Sequence, residues 1–410
     1  MTGTLDTDTP DNVVQLYPKA DTQSTSPEVG MIEMKGIFGK NIPAPPDMPR
    51  VTIERFTSEL EVATACTSLK VLVLNIDSPG GEGQEMKQIA DAINNFKRRH
   101  PDVRIVANVM NAKSAALWTI ANCDHVHISP HGEIGSLGIY SGYPNADLEK
   151  EGIQASPTSK VRANETAMKS DLASLQAEHR KFRELVYNSR SKKAAAAGTP
   201  WPSLAELDQF DDSIVARKKE ARAYAEEVVA VINSANPTVE ELFELAGKMA
   251  TQMPELRSLV EEQATNLKMG LFSPADTTEQ RMKFAQQLIR KFEERVELIM
   301  LQESALAPYH RLLYQAHSFE AADAYKYGMV DSVGGKDELN AALREMGVAN
   351  PDRQVDISAQ AFQQRRVNTY ENEMRAQVEA VNRLNEPERT PETSARARGN
   401  EAQPLQAKAA

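Results

Sequence analysis

Ser114 stands in Lys113-Ser114-Ala115-Ala116-Leu117-Trp118, a hydroxyl followed by two small residues where a short helix begins. A helix start favours negative charge, so a serine there is placed to carry an alkoxide or to sit beside an oxyanion. The plain alternative is a serine that only caps the helix. Upstream, Asp77-Ser78-Pro79-Gly80-Gly81 follows an apolar run and precedes a helical pattern. Its proline fixes one dihedral and its glycines allow a tight turn with amides facing a cavity, as an oxyanion hole requires. A simple strand-to-helix turn would use the same residues. Downstream lies Gly135-Ser136-Leu137-Gly138, read as part of the next strand, whose glycines carry little meaning alone.

The elements that must position these residues are legible in the periodicity. A short alternating strand begins at about Val29, and a helix covers about 53–67. Residues 70–76 form a near-continuous apolar run, as for a strand covered on both faces. A helix over 83–98 repeats Met86, Ile89, Ala90, Ile93 and Phe96 at three- and four-residue steps. Strands at 104–110 and 125–129 enclose a small-residue helix from 114 to 122, so the pattern predicts an α/β core with crossover connections. From 164 to 314 the pattern is helical almost throughout, with breaks near 198–202, 236–237 and 272–275. The reading divides the chain into a disordered segment 1–28, a core 29–165, a helical insertion 166–316, a closing core segment 317–346 and a polar, largely disordered tail 347–410, with a helix at about 370–384.

Composition excludes several classes. The chain has 410 residues and a net charge of −11, which opposes general affinity for nucleic acid or anionic membrane. Two cysteines, Cys66 and Cys123, build neither a disulfide framework nor a four-ligand zinc site, and both sit in apolar settings as buried thiols. No secretory signal or membrane-length apolar segment is expected, so the reading is a cytoplasmic protein without cofactor, metal or membrane anchor.

Taken in order, residues 77–81, 113–118 and 135–138 resemble the motifs of the signal peptide peptidase A family, including the head-maturation (prohead) proteases of tailed phages. Leu148-Glu149-Lys150-Glu151-Gly152-Ile153 resembles that family's next helix-to-strand step, and 318–331 resembles its closing segment. The resemblance covers about 29–170 and 317–346. It departs at Ala115-Ala116, where the family has two glycines, and at Lys113, where it has a small residue.

The resemblance implies a ClpP/crotonase-like core of repeated β-β-α units with a long all-helical insertion, and a serine endopeptidase with a Ser/Lys dyad. Ser114 would be the nucleophile, and the amides of Gly80 or Gly81 with Ala115 would hold the oxyanion. Ser136 would orient the lysine. The base is Lys169, in a Met-Lys-Ser context like the family's lysine, with Lys160 as second choice. His125, His127 and His131 precede the motif at 135–138 and read as strand or loop residues. Implied partners are protein or peptide substrates, with scaffold and capsid proteins for a phage enzyme, and further copies of the chain. The apolar stripes of the insertion, Phe243, Leu245, Met249 and Met253, and Leu288, Phe292, Val296 and Ile299, must be buried against something, which suits an oligomerisation or gating module. The alternatives are a cytoplasmic bacterial peptidase, an inactive structural protein on the same core, and a crotonase-type acyl-CoA enzyme.

Overall fold

The computed structural model describes residues 27–42, 45–141, 154–156, 169–234, 236–271 and 277–385. Strand β1 (Val29–Lys35) leads through two short paired strands, β2 (Ile37–Phe38) and β3 (Arg50–Val51), into helix α1 (Ile53–Ala65). Thr52 caps that helix, accepting a hydrogen bond from the Arg55 amide at 3.3 Å. There follow β4 (Val71–Ser78), α2 (Gly83–Arg99), β5 (Arg104–Lys113), α3 (Ala115–Ile120) and β6 (His125–Gly135). The strands β1, β4, β5 and β6 lie side by side and parallel. Parallel neighbours need a crossover, and α1, α2 and α3 are these.

The apolar run of β4 is continuous because its two faces meet two different layers. Leu72, Leu74 and Ile76 join the main core beneath the helices, with Ile32, Met34, Ile89, Ile93 and Ile105. Val71 and Val73 pack on the opposite face in a smaller cluster with Val29, Val106, Leu339 and Leu343. Further along the strands that second face turns polar. Asn75 donates to Glu33 Oε1 at 2.6 Å and Asn108 donates to Asn75 Oδ1 at 2.9 Å, residues paired in register across three strands.

Two further strands, β7 (Ile139–Ser141) and β8 (Gln154–Ser156), pair antiparallel. The helices α4 (Lys169–Ala196), α5 (Leu204–Ile232), α6 (Val239–Gln252), α7 (Arg257–Lys268), α8 (Thr278–Glu303) and α9 (Ala307–Tyr314) come next. Helix α4 belongs to the main core: Phe182, Val186 and Ala194 are buried there, and the Phe182 ring lies 4.8 Å from that of Trp118. Arg190 on α4 is buried and forms two 2.8 Å contacts with the Asp331 carboxylate. The second half of α5 joins α6, α7 and α8 in a separate core, which includes Val228, Leu245, Met249, Val260, Phe292 and Val296. Most of the insertion's apolar stripes are thus buried against one another. Phe243 is exposed, and Leu242 takes the inward position instead.

The chain then returns to the sheet with β9 (Ser318–Glu320), antiparallel to β6, followed by α10 (Ala321–Lys326) and β10 (Ser332–Val333), parallel to β6. Helix α11 (Lys336–Glu345) covers the second face through Leu339 and Leu343. The expectation of a largely disordered tail from 347, with a helix at about 370–384, needs correcting over the described residues to 385. Strand β11 (Gln354–Asp356) pairs parallel with β1 and completes a seven-stranded sheet, and α12 (Ile357–Asn385) follows it. The molecule divides between Ser358 and Ala359 into two compact units, the second containing the rest of α12.

Candidate active site

Ser114 joins β5 to α3 with φ 53° and ψ −117°. These angles are those of the first central position of a type II′ turn, where glycine is the ordinary occupant. A serine there costs about 1–3 kcal/mol. Its hydroxyl makes no capping bond to the helix, so the helix-cap alternative is not what the structure shows. The Ser114 amide donates to Gly135 O at 3.0 Å, and its carbonyl accepts from Leu117 N at 3.0 Å. Ala115 and Ala116 are both buried in the main core, where their methyl groups take up packing volume. Lys113 forms an ion pair with Glu133 on the neighbouring strand.

The Gly80-Gly81 turn lies directly against this serine. Gly80 has φ +107°, and a Cβ there would come 2.6 Å from Ser114 Cβ and 2.8 Å from Lys113 O. Strand β2 clamps the same turn from its other side: Phe38 N donates to Gly80 O at 2.9 Å, and Glu82 N donates to Phe38 O at 2.8 Å. A Cβ on Gly81 would fall 2.0 Å from Phe38 O, so only glycine fits. The Gly80 amide is already engaged, donating to the buried Ser78 hydroxyl at 3.1 Å. The amides of Gly81 and Ala115 have no hydrogen-bond partner among the described residues, Ala115 being the first residue of α3.

Ser136, expected within a strand, instead lies just past the end of β6 with φ 55°. Its amide donates to His317 O at 3.0 Å, and a Cβ on Gly135 would fall 2.2 Å from that same carbonyl. Ala316, just before it, has φ 51°. Ser114, Ser136 and Ala316 are the positive-φ residues other than glycine among the described residues. They come together through Gly135, which touches the first by its carbonyl and the last two through the His317 contact. Strain of this kind persists only where surrounding structure enforces it, and it gathers at functional sites. Ala316 and His317 carried no signal in the sequence, because what places them is backbone geometry and not residue type. Beside them a cleft of about 730 Å³ is lined by Glu133, Arg311, His317, Phe319 and Tyr327, among others.

The candidate bases stand differently. Lys160 and the stretch 148–153 lie outside the described residues. Lys169 is the first residue of α4, described by its backbone alone. His125 and His127 sit at the opening end of β6, both bonded to Ser332 Oγ, at 2.8 and 2.9 Å. His125 and His127 pair with Val106 and Asn108, and Gly135 pairs with Lys113, so five to seven strand positions of β5, roughly 15–25 Å, separate them from Gly135. Burial lowers the pKa of both below the ordinary histidine range. Burial also pushes the Cys123 thiol up to about 12, which keeps it protonated and inert.

A serine held in a forced turn, beside two unengaged amides from two separate segments, can attack a carbonyl and bind the resulting oxyanion. No protein-family model matches the chain, and no curated protein matches it in sequence. Matching solved structures include three forms of the 1510-N membrane-bound stomatin-specific protease. The first, a serine-to-alanine mutant, is 14% identical with a TM-score of 0.28, covering 42% of this chain and just under two thirds, 66%, of its own. The second, a lysine-to-alanine mutant in complex with a substrate peptide, is 12% identical with a TM-score of 0.32, covering 76% of each chain. The third, from Pyrococcus horikoshii and specific for a stomatin homolog, is 18% identical with a TM-score of 0.21, covering 26% of this chain and 48% of its own.

Proposed function

We propose that the chain is a serine endopeptidase on a ClpP/crotonase-type core, with Ser114 as nucleophile and a lysine as base. The observation that carries this reading is the glycine-type backbone of Ser114, packed against Gly80 in a turn whose Gly81 amide, like that of Ala115, has no partner among the described residues. A turn that would cost nothing with glycine carries a hydroxyl instead, and a crotonase-type acyl-CoA enzyme has no need of that hydroxyl.

Neutral Lys169, or Lys160 in its place, takes the Ser114 proton as the oxygen attacks a peptide carbonyl. The Gly81 and Ala115 amides hold the oxyanion, while the Ser78 hydroxyl keeps the Gly80 amide turned away from it. The lysine ammonium gives its proton to the leaving nitrogen as the tetrahedral intermediate collapses, which releases the amine product and leaves an acyl-Ser114 ester. The lysine, neutral again, acts as base when water hydrolyses the ester. Within this reading the motif resemblance extends the substrates to scaffold and capsid proteins of a phage procapsid. The helical insertion then serves as a gate.

A fluorophosphonate probe with mass spectrometry tests the reading. Labelling on Ser114 in the wild type, absent in Ser114→Ala, is the expected result. Wild-type protein that is folded yet unlabelled, or an unchanged peptidase activity in Ser114→Ala, would refute it.

A further inference from the structure

The apolar stripes of α6 and α8 are satisfied within their own core, but the stripe of α12 is not. Val367, Tyr370, Met374 and Val378 are 40%, 64%, 42% and 54% exposed. At 3.6 residues per turn they fall within roughly a quarter of the helix circumference. In the sequence the same three- and four-residue steps run on to Val381 and Leu384. Val367 and Met374 fall in one set of layers of a two-helix seam and Tyr370 in the other, where Gln377 follows it, and Val378 flanks that seam position. A row of large apolar side chains in water marks a surface that meets a partner.

We infer that α12 is a self-association helix, whose occupant is the α12 of a second copy of this chain. Charge selects that occupant. Arg366 flanks the stripe on one side and Glu371 on the other, five residues later, so in a parallel pair each arginine faces the other chain's glutamate. Reversing one helix brings Arg366 towards Glu373 instead, so it meets an acid in either orientation. A membrane surface would favour a polar face rich in Lys and Arg alone. The α12 polar face mixes Arg365, Arg366 and Arg375 with Glu371 and Glu373. Phe362 lies off the stripe, its ring 6.0 Å from the Arg366 guanidinium.

Light scattering on the full chain tests the inference without reference to peptidase activity. Wild type is expected at a multiple of 45.3 kDa, and Val367→Asp with Met374→Asp is expected to halve its mass while circular dichroism keeps the helical signal. Arg366→Glu should weaken association in low salt, and Arg366→Glu with Glu371→Arg and Glu373→Arg should restore it. A wild-type mass of one chain at the highest soluble concentration would overturn the inference, as would an equal mass for the double variant. Binding of monomeric wild type to anionic phosphatidylserine vesicles, lost in that variant, would assign the stripe to a membrane and overturn it equally.

Discussion

Ser114 carries a strained backbone conformation, and under the proposed reading this separates two substitutions that would equally remove its hydroxyl. Ser114→Gly relieves the forced φ of 53° and is expected to raise stability by about 1 kcal/mol, a few degrees in Tm, while activity is lost. Ser114→Ala keeps the strain, so its melting point should stay near wild type. A glycine variant melting below the alanine variant would mean that the turn is not strained. Gly80→Ala meets Ser114 Cβ at 2.6 Å at a positive φ, and should lose both activity and about 1–3 kcal/mol of stability in denaturant titrations. Lys169→Ala should be as inactive in a peptide-cleavage assay as Ser114→Ala, with Lys160→Ala keeping most activity. The rate should fall with pH, since an ammonium group accepts no proton. Loss of activity in Lys160→Ala alone would move the base but keep the dyad. Ser114, Gly80 and Gly81 were legible because turn chemistry is local. The Gly135–His317 contact joins residues 182 positions apart through backbone atoms, which no side-chain pattern announces.

At the scale of elements, α4 is fastened to the sheet by the Arg190–Asp331 pair. Burial works to raise the Asp331 carboxyl, but the Arg190 hydrogen bonds and charge, with Lys193 behind them, bring it down to about 2. A carboxyl held below its unfolded value of 3.8 stabilises the fold above that pH and loses the contribution as pH falls towards 2. The loss is roughly 2 kcal/mol, and urea titrations from pH 5 to 2 should show it. In Arg190→Met that slope should flatten, and stability at pH 7 should fall by several kcal/mol because the buried carboxylate loses its paired charge and is left with the Val126 amide and with Lys193 at 3.7 Å. The amphipathic helices and the apolar run of β4 follow from hydrophobic period. Strand β11 did not, since three residues have too few alternations to read, and its place beside β1 comes from tertiary pairing.

The first compact unit contains two cores that share helix α5: one between sheet and helices, the other among α5, α6, α7 and α8. Phe292→Ala, at a fully buried position of the second, should cost about 3–5 kcal/mol there. Hydrogen exchange should then quicken in α6, α7 and α8 while β4 and β5 stay protected and the probe still labels Ser114. Loss of protection in both together would show one cooperative unit. The grip of His317 on Gly135 and Ser136 has a further consequence in time. During synthesis the chain emerges from its N-terminus, and 317 − 136 = 181 residues must follow Ser136 before its partner exists. At ribosomal speed this takes about 10–40 s. Until then the serine has its neighbouring turn but no fixed wall on the β6 side, so the nascent chain carries its own delay. A ribosome-bound chain stalled before residue 317 should stay dark to the fluorophosphonate probe, and one released past β11 should light up, so that under the proposed reading Ser114 would stay silent for most of the chain's synthesis.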